Sequence, residues 1–571
     1  MKQFVVIWLI LVSGGRLGAQ DSLNLKSYYR SPLSLDMPIT FASNFGELRA
    51  NRFHAGLDFR VGGVPGAKLY AVAEGYISRI SVSPTGYGRG IYITHPNGTT
   101  SVYGHLHNFS AKIKAYIEDL QYKRQRYAID ETLSPEVFPL KKGDFIGTAG
   151  NSGSSFGAHL HFEIRKTDTQ MPINVLSAGI YKYTDNIAPI IKQVIFYRYE
   201  EQENGAPVIA PFLISAIADL QHTANVSERF FIAVDASDRQ NGSTGKLGIY
   251  RMEVKLDSKV IFAYRNDGFL FEESRYVNSV MAYDYLQANS QSLLKTYLEP
   301  GNKLSSVYEK VENNGIITLS DNEKHQLFIS VWDEKGNQTD CEFDIQRHEI
   351  EAIPQAYTAE QKTSLMHYDR NNRHEQAGMH ITIPEGSLYR SILFTADTAM
   401  YAPAYACSPL WNIHNSEVPL HRSATLHLQA DVPEEYRSKA LIANITKTGG
   451  INAVGGSWNN DGVTAKISSF GDHCVMIDSL PPTITPKFKK GANLKNNATL
   501  SIKIYDEISG INTYKAYIDG KWALMEYDAK NNVLIYTFDP KRIKKGTTHT
   551  LILSVTDNRM NTAGLKTTFI W

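Results

Sequence analysis

Two stretches far apart in this chain carry the same pattern, and that repeat limits what most of the polypeptide can fold into. Asp185-Asn-Ile-Ala-Pro-Ile-Ile is echoed by Asp478-Ser-Leu-Pro-Pro-Thr-Ile, and Tyr250-Arg-Met-Glu-Val-Lys-Leu-Asp by Tyr514-Lys-Ala-Tyr-Ile-Asp. His325-Gln-Leu-Phe-Ile-Ser-Val-Trp-Asp is echoed by His549-Thr-Leu-Ile-Leu-Ser-Val-Thr-Asp, each followed a few residues later by an Asn. In both copies short runs alternate apolar and polar residues between polar turns, which is the period of half-buried strands. Immunoglobulin-like or fibronectin-like β modules are the expectation. The stretch from about Pro354 to Asp478, with its turn-rich Thr448-Gly-Gly and Val454-Gly-Gly-Ser, reads as a further accessory β module.

A chain of 571 residues exceeds what one hydrophobic core supports, so several domains are expected. The formal charge of +1 offers no net field to gather a polyanion, which argues against nucleic acid as a partner. Lys2, the apolar run Phe4 to Val12 and Gly18-Ala19 form an export-signal pattern over residues 1–20. That run is too short to span a bilayer, and no later segment supplies the roughly 20 apolar residues a transmembrane helix needs. The expected location is therefore the periplasm or cell envelope. Cys341, Cys407 and Cys474 are spaced like neither a disulfide framework nor a thiolate zinc site, and read as isolated buried thiols.

The part of the chain before Asp185 is not repeated. Tyr70-Ala-Val-Ala, Tyr76-Ile-Ser-Arg-Ile and Ile91-Tyr-Ile-Thr-His read as short strands, and Asn97-Gly98 reads as a type I′ hairpin turn. From Phe109 to Arg126 the period changes. Phe109, Ile113, Tyr116, Ile117 and Leu120 share one helical face, which predicts a helical insertion at about 109–139.

Residues suited to metal chemistry concentrate in this region. Phe45-Gly-Glu-Leu-Arg49 leads to His54-Ala-Gly-Leu-Asp58; Tyr103-Gly-His105-Leu and Gly157-Ala-His159-Leu-His161-Phe-Glu163 follow. On a strand, residues two apart face the same way, so His159 and His161 look into one site while Leu160 and Phe162 enter a core. His54 and Asp58 would lie about 13 Å apart on a straight strand, so a bend at Ala55-Gly56 is required. Two imidazoles and one carboxylate make a typical zinc set with a fourth position for water, which leaves His105 and His159 to move protons or steady an oxyanion.

These segments, in this order, resemble the lysostaphin-like, or LytM-type, zinc metalloendopeptidases. The resemblance runs from about Phe45 to Arg165 through the His-x-x-x-Asp pair, the Tyr-x-His-Leu segment, the Lys142-Gly-Asp turn and the His-Leu-His-Phe-Glu strand. It implies a compact antiparallel β fold, Zn2+ held by His54, Asp58 and His161, catalytic roles for His105 and His159, and peptidoglycan peptides as substrate. Ala158 stands where many relatives carry Pro. The insertion is longer than in minimal relatives, and its position after His105 suggests that it walls or covers the groove.

The expected organisation is mainly β. A signal at 1–20 precedes a zinc peptidase domain at 21–185, a β-sandwich-like module at 186–350, an accessory β module at 351–480 and a second sandwich-like module at 481–571. The later modules offer surfaces for an envelope protein partner. Single histidines such as His95 and His107 read as structural. Gly147-Thr-Ala-Gly150-Asn-Ser-Gly153 leads into a strand and lacks the ending that grips phosphate. The weighed alternative is a non-catalytic domain of the same fold that regulates or scaffolds wall hydrolases.

Overall fold

A computed structural model describes residues 25–216, 223–349, 363–400 and 402–571, so the export segment at 1–20 lies outside the described residues. The chain is mainly β, as expected. No helix among the described residues is long and apolar enough to cross a membrane.

The N-terminal domain contains strands β1 (Phe41–Ser43), β2 (Leu57–Gly63), β3 (Lys68–Tyr70), β4 (Gly75–Val82), β5 (Arg89–Thr94), β6 (Thr99–Gly104) and β7 (Leu106–Phe109). Helix α1 (Ala111–Arg124) and strands β8 (Ile129–Thr132), β9 (Phe145–Ala149) and β10 (Ala158–Lys166) follow. The main antiparallel sheet runs β1-β2-β10-β6-β5-β4-β8, and a smaller sheet runs β3-β9-β7. β10 is central because its alternation serves two purposes. Leu160, Phe162 and Ile164 are completely buried on one face, each contributing about 1.5–3 kcal/mol, and this leaves the polar residues between them on the other face.

The β5–β6 turn differs from expectation. Of Asn97 and Gly98 only Gly98 has positive φ, at 77°, and the Gly98 N–H donates to the His95 carbonyl. His95 pairs with Thr99 around three loop residues, because Pro96 has its φ held negative and enters a turn followed by a left-handed glycine. His95 is structural: Nδ1 meets the Glu74 carbonyl at 2.7 Å and Nε2 the Ser101 hydroxyl at 2.8 Å.

Helix α1 forms where the period predicted it. It buries Ile113, Ile117 and Gln121, packs Tyr116 edge-on to Phe138, and ends at Gln125 in the left-handed conformation after basic Lys123 and Arg124.

The next module shares one continuous core with this domain. Phe45 and Phe53 pack on Phe269, and Gln240 continues the β1 edge by accepting from the Phe41 N–H and donating to the Ile39 carbonyl. The repeated modules have matching topology. Strands Gln338–Arg347, β12 (Lys324–Trp332) and Arg251–Leu256 adjoin in the order in which Thr562–Ile570, β14 (Thr548–Asp557) and Ile511–Ile518 do. Each sheet takes a short parallel edge strand, at Ala224–Val226 and Ala492–Asn493. The opposite sheets contain β11 (Arg229–Ser237) and β13 (Thr499–Tyr505). Cys341, Cys407 and Cys474 are free thiols, two of them buried.

The chain then returns to its start. Trp522 packs edge-on to Tyr122 of α1, Arg542 lies over the Tyr122 ring, and Arg89 pairs with Glu526 at 2.5 Å. Lys530 donates to the carbonyls of Asn151 and Ser155, at 2.5 and 2.9 Å.

Candidate metal centre and active-site cleft

Strand register brings the sequence-predicted residues together. Asp58 on β2 pairs directly with His161 on β10, and His161 pairs across its other edge with Gly104, one residue before His105. His54 arrives from the loop before β2. The bend between His54 and Asp58 is present, but Gly56 serves it in a different way from the one the sequence suggested. Its φ is not positive; instead a Cβ there would lie 2.4 Å from the Phe162 carbonyl oxygen and 2.7 Å from Glu163 Cγ. Close approach to β10, not a left-handed backbone, requires the glycine.

Three atoms converge. His54 Nε2 lies 3.1 Å from Asp58 Oδ1 and 3.1 Å from His161 Nδ1, and His161 Nδ1 lies 2.9 Å from Asp58 Oδ1. All three residues are buried. Tetrahedral zinc with bonds of about 2.0–2.2 Å separates its ligand atoms by roughly 3.3 Å, so this triangle fits such an ion. The atom of each ligand that faces away is already engaged. His54 Nδ1 meets the Asn44 carbonyl at 2.7 Å, His161 Nε2 meets Glu163 Oε1 at 2.7 Å, and Arg49 reaches Asp58 Oδ2 at 3.3 Å. Such outer partners set the tautomer and orientation of a ligand.

Electrostatics follow from burial and these partners. Burial lowers the pKa of His54. Burial would also lower His161, but hydrogen bonds to Asp58 and Glu163 outweigh it and hold the imidazole up at about 9. Burial opposes the Glu163 charge, yet Arg165 and His161 bring its carboxyl down to about 2. Asp58 is likewise held well below the usual carboxylate range, against burial, by the surrounding imidazoles.

His105 and His159 stand beside the triangle with ring centroids 4.8 Å apart. His105 has φ of 62°, a left-handed backbone for a non-glycine residue, at the junction of β6 and β7. Its Nδ1 meets the Ser152 carbonyl at 2.8 Å, and burial brings its pKa down to about 3, so the ring is neutral at ordinary pH. His159 Nδ1 meets the Gly157 carbonyl at 2.9 Å, and its Nε2 lies 3.5 Å from Asp58 Oδ1. The Ser152 carbonyl takes the Nδ1 proton of the neutral His105 ring, which leaves its Nε2 as the acceptor.

Sequence reasoning did not single out Tyr87, Asn44 or Arg165. Tyr87 stacks on His161 with centroids 5.1 Å apart, and its hydroxyl donates to Glu163 Oε1 at 2.5 Å, while Arg165 Nε donates to Glu163 Oε2 at 2.6 Å. Tyr87 lies in the Gly86-Tyr-Gly88-Arg-Gly90 turn, whose glycines were the only signal. Gly104 makes room, since a Cβ there would sit 3.1 Å from the Tyr87 ring.

The cluster opens into a cleft of about 1300 Å³. None of residues 109–139 lines it, which corrects the expectation that the helical insertion walls the groove. α1 packs instead against the C-terminal module through Tyr122. The wall comes from Phe271, Ser274 and Arg275 of the second module, facing Arg49 and Arg52.

Comparison with known proteins agrees with the motif order. Residues 52–121 match the model of peptidase family M23, and residues 363–478 match that of the Zu5-like domain. A DD-carboxypeptidase/endopeptidase of Neisseria meningitidis serogroup B is 29% identical over 129 residues, which are 23% of this chain and 23% of that protein; its Neisseria gonorrhoeae counterpart matches over the same share. The chain thus spans under a quarter of the length of these curated relatives. Among solved structures, the catalytic domain of lysostaphin from Staphylococcus simulans is 21% identical, covering 23% of this chain and 82% of that one, with a TM-score of 0.16. A zinc-containing peptidase from Vibrio cholerae is 21% identical, covering 28% and 40%, with a TM-score of 0.19. The chain is thus similar to peptidase family M23 over residues 52–121 and to the Zu5-like domain over residues 363–478, with further β modules around these stretches.

Proposed function

We propose that the protein is an exported zinc-dependent endopeptidase that hydrolyses peptide bonds in bacterial peptidoglycan stems or crosslinks. One observation carries this reading: His54 Nε2, Asp58 Oδ1 and His161 Nδ1 converge to about 3 Å at the floor of an open cleft, and each outward-facing atom is already tied down. Zinc bound there supplies a Lewis acid and lowers the pKa of a water molecule to about 7.

The chain's own residues do the rest. His54, Asp58 and His161 hold the ion, with Asn44, Arg49 and Glu163 fixing their orientation. His105 and His159 stand side by side next to the triangle, where one accepts the proton of the attacking water and the other steadies the oxyanion or protonates the leaving nitrogen. Phe271 and the arginines at the mouth seat the peptide.

Zinc-loaded protein should release muropeptide fragments from purified peptidoglycan, identified by mass spectrometry. His54→Ala and His161→Ala should lose both zinc and activity. Intact zinc binding with no cleavage of any wall peptide would sink the enzymatic reading in favour of a regulator of other hydrolases.

A further inference from the structure

A second cluster of ionisable groups lies outside the cleft, where the peptidase domain joins the second module. Asp185, Asp238 and Asp333 each offer a carboxylate oxygen, all within 4.8 Å of one another. Asp185 comes from the connector, Asp238 directly follows β11 and Asp333 directly follows β12. Asp238 is 1% exposed and Asp333 2%.

Most of these oxygens have donors. Asp333 Oδ1 accepts from the N–H groups of Lys335 and Asn337 at 2.9 and 2.8 Å, and Oδ2 accepts from the Asn337 amide at 2.7 Å. That amide also donates to the Asp185 carbonyl at 3.2 Å, and Asp185 Oδ1 accepts from the Ile187 N–H at 3.3 Å. Asp238 Oδ1 is different: it is sealed from solvent without a hydrogen-bond partner among the described residues. A buried acceptor left this way is unfavourable, and more so when charged. Lys335 acts on Asp185 from a position over the Tyr183 ring, whereas half-buried Glu334 raises the Asp238 carboxyl further. Burial, with the charges of Asp333 and Asp185, pushes the Asp238 carboxyl up to about 8.

The repeat supplies an internal comparison. Asp478, Asp506 and Asp557 form the same triad at the equivalent places. Asp557 accepts from the N–H groups of Arg559 and Asn561 and from the Asn561 amide, which also donates to the Asp478 carbonyl. In this copy the third carboxylate is satisfied, since Asp506 Oδ2 takes the Gly510 N–H at 2.7 Å, and Arg559 acts on both Asp478 and Asp557. The first copy keeps the three acids but leaves one oxygen of Asp238, Oδ1, without a donor.

We infer that Asp185, Asp238 and Asp333 bind a hard divalent cation of the calcium type, which ties the interdomain connector to the ends of β11 and β12. The donor set is all oxygen with no imidazole or thiolate, and bonds of about 2.3–2.6 Å from a central calcium ion span the observed separations. The inference uses neither the zinc ligands nor the peptidase reading.

The test is calorimetric titration of the full chain, freed of metal with a chelator, with calcium chloride alone, alongside thermal unfolding. The parent should take up calcium with a dissociation constant on the order of 10⁻³ M or tighter, and its unfolding midpoint should rise with calcium. Asp238→Asn should bind one equivalent fewer. Because Asn matches the carboxyl in shape and carries no charge to bury, this variant should unfold no earlier than the parent in chelator. Asp185→Asn, at a less buried position, should lose the same equivalent and serves if the first variant does not fold. No calcium uptake by the parent at millimolar concentration, or undiminished stoichiometry in the folded variants, overturns the inference.

Discussion

Single side chains divide into those that hold the proposed ion, those that move protons and those that fit the two together. His105→Ala and His159→Ala should keep zinc at parental stoichiometry while cleavage slows by about 10²–10⁴-fold, measured by metal analysis and muropeptide release. Tyr87→Phe deletes the hydroxyl that steadies Glu163 behind His161. Loss of such an outer partner should weaken zinc binding by about 10–100-fold in a competition titration. Gly56→Ala forces a methyl group to within 2.4 Å of the Phe162 carbonyl, so it should destabilise the domain by about 1–3 kcal/mol on chemical denaturation. A fully stable Gly56→Ala protein would show that the β2–β10 approach is looser than its geometry indicates.

Among the elements, β10 and the short helical segment Phe271–Tyr276 do different work. β10 carries His159, His161, Glu163 and Arg165 on one face, so the proposed metal ligand His161, its carboxylate partner and that carboxylate's guanidinium move as one piece. Phe271 of the second module packs against Arg165, whose guanidinium carbon sits 4.4 Å from the ring centroid, and continues into the cleft wall. Phe271→Ala should therefore raise KM several-fold for a wall peptide while leaving zinc content unchanged. Helix α1, directed away from the cleft, should have little effect on KM when Tyr122 is replaced. The reverse pattern in the same peptide assay would return the helix to the groove.

Across the whole molecule, distant modules brace the site. Lys530 of the C-terminal module holds the carbonyls of Asn151 and Ser155 in the loop that also supplies the Ser152 carbonyl to His105 and the Ser155 hydroxyl, 3.3 Å from His159 Nδ1. Lys530→Ala should lower kcat with zinc content and KM little changed, in a direct steady-state comparison. A second brace joins the second module to the module at residues 363–478. Glu299 is buried against Lys295 at 3.0 Å and against Arg390. Burial opposes its charge, but Lys295 and Arg390 bring the carboxyl from 4.5 down to about 2. A carboxyl depressed on folding stabilises fully above its unfolded pKa, so this contribution should persist above about pH 4.5 and be lost as pH falls toward 2. Glu299→Gln, which strands buried Lys295 and half-buried Arg390, should cost about 3–5 kcal/mol at neutral pH and flatten the acid limb of a stability-versus-pH curve.

Much of this was legible in the linear order of residues, because strand periodicity and motif spacing are local properties. Alternation in His159-Leu-His161-Phe-Glu163 was enough to predict which side chains face the site and which enter the core. The repeat was enough to predict two β modules, and their matching strand orders bear this out. Spacing could not reveal Tyr87, Asn44 or the Phe271 wall, since each meets the cluster only after sheets and modules pack. Nor could composition show that Gly56 answers a close approach or that α1 turns toward the far end of the chain. Local pattern sets which residues can act, whereas the atoms that orient them are neighbours in space alone and were decided by tertiary packing.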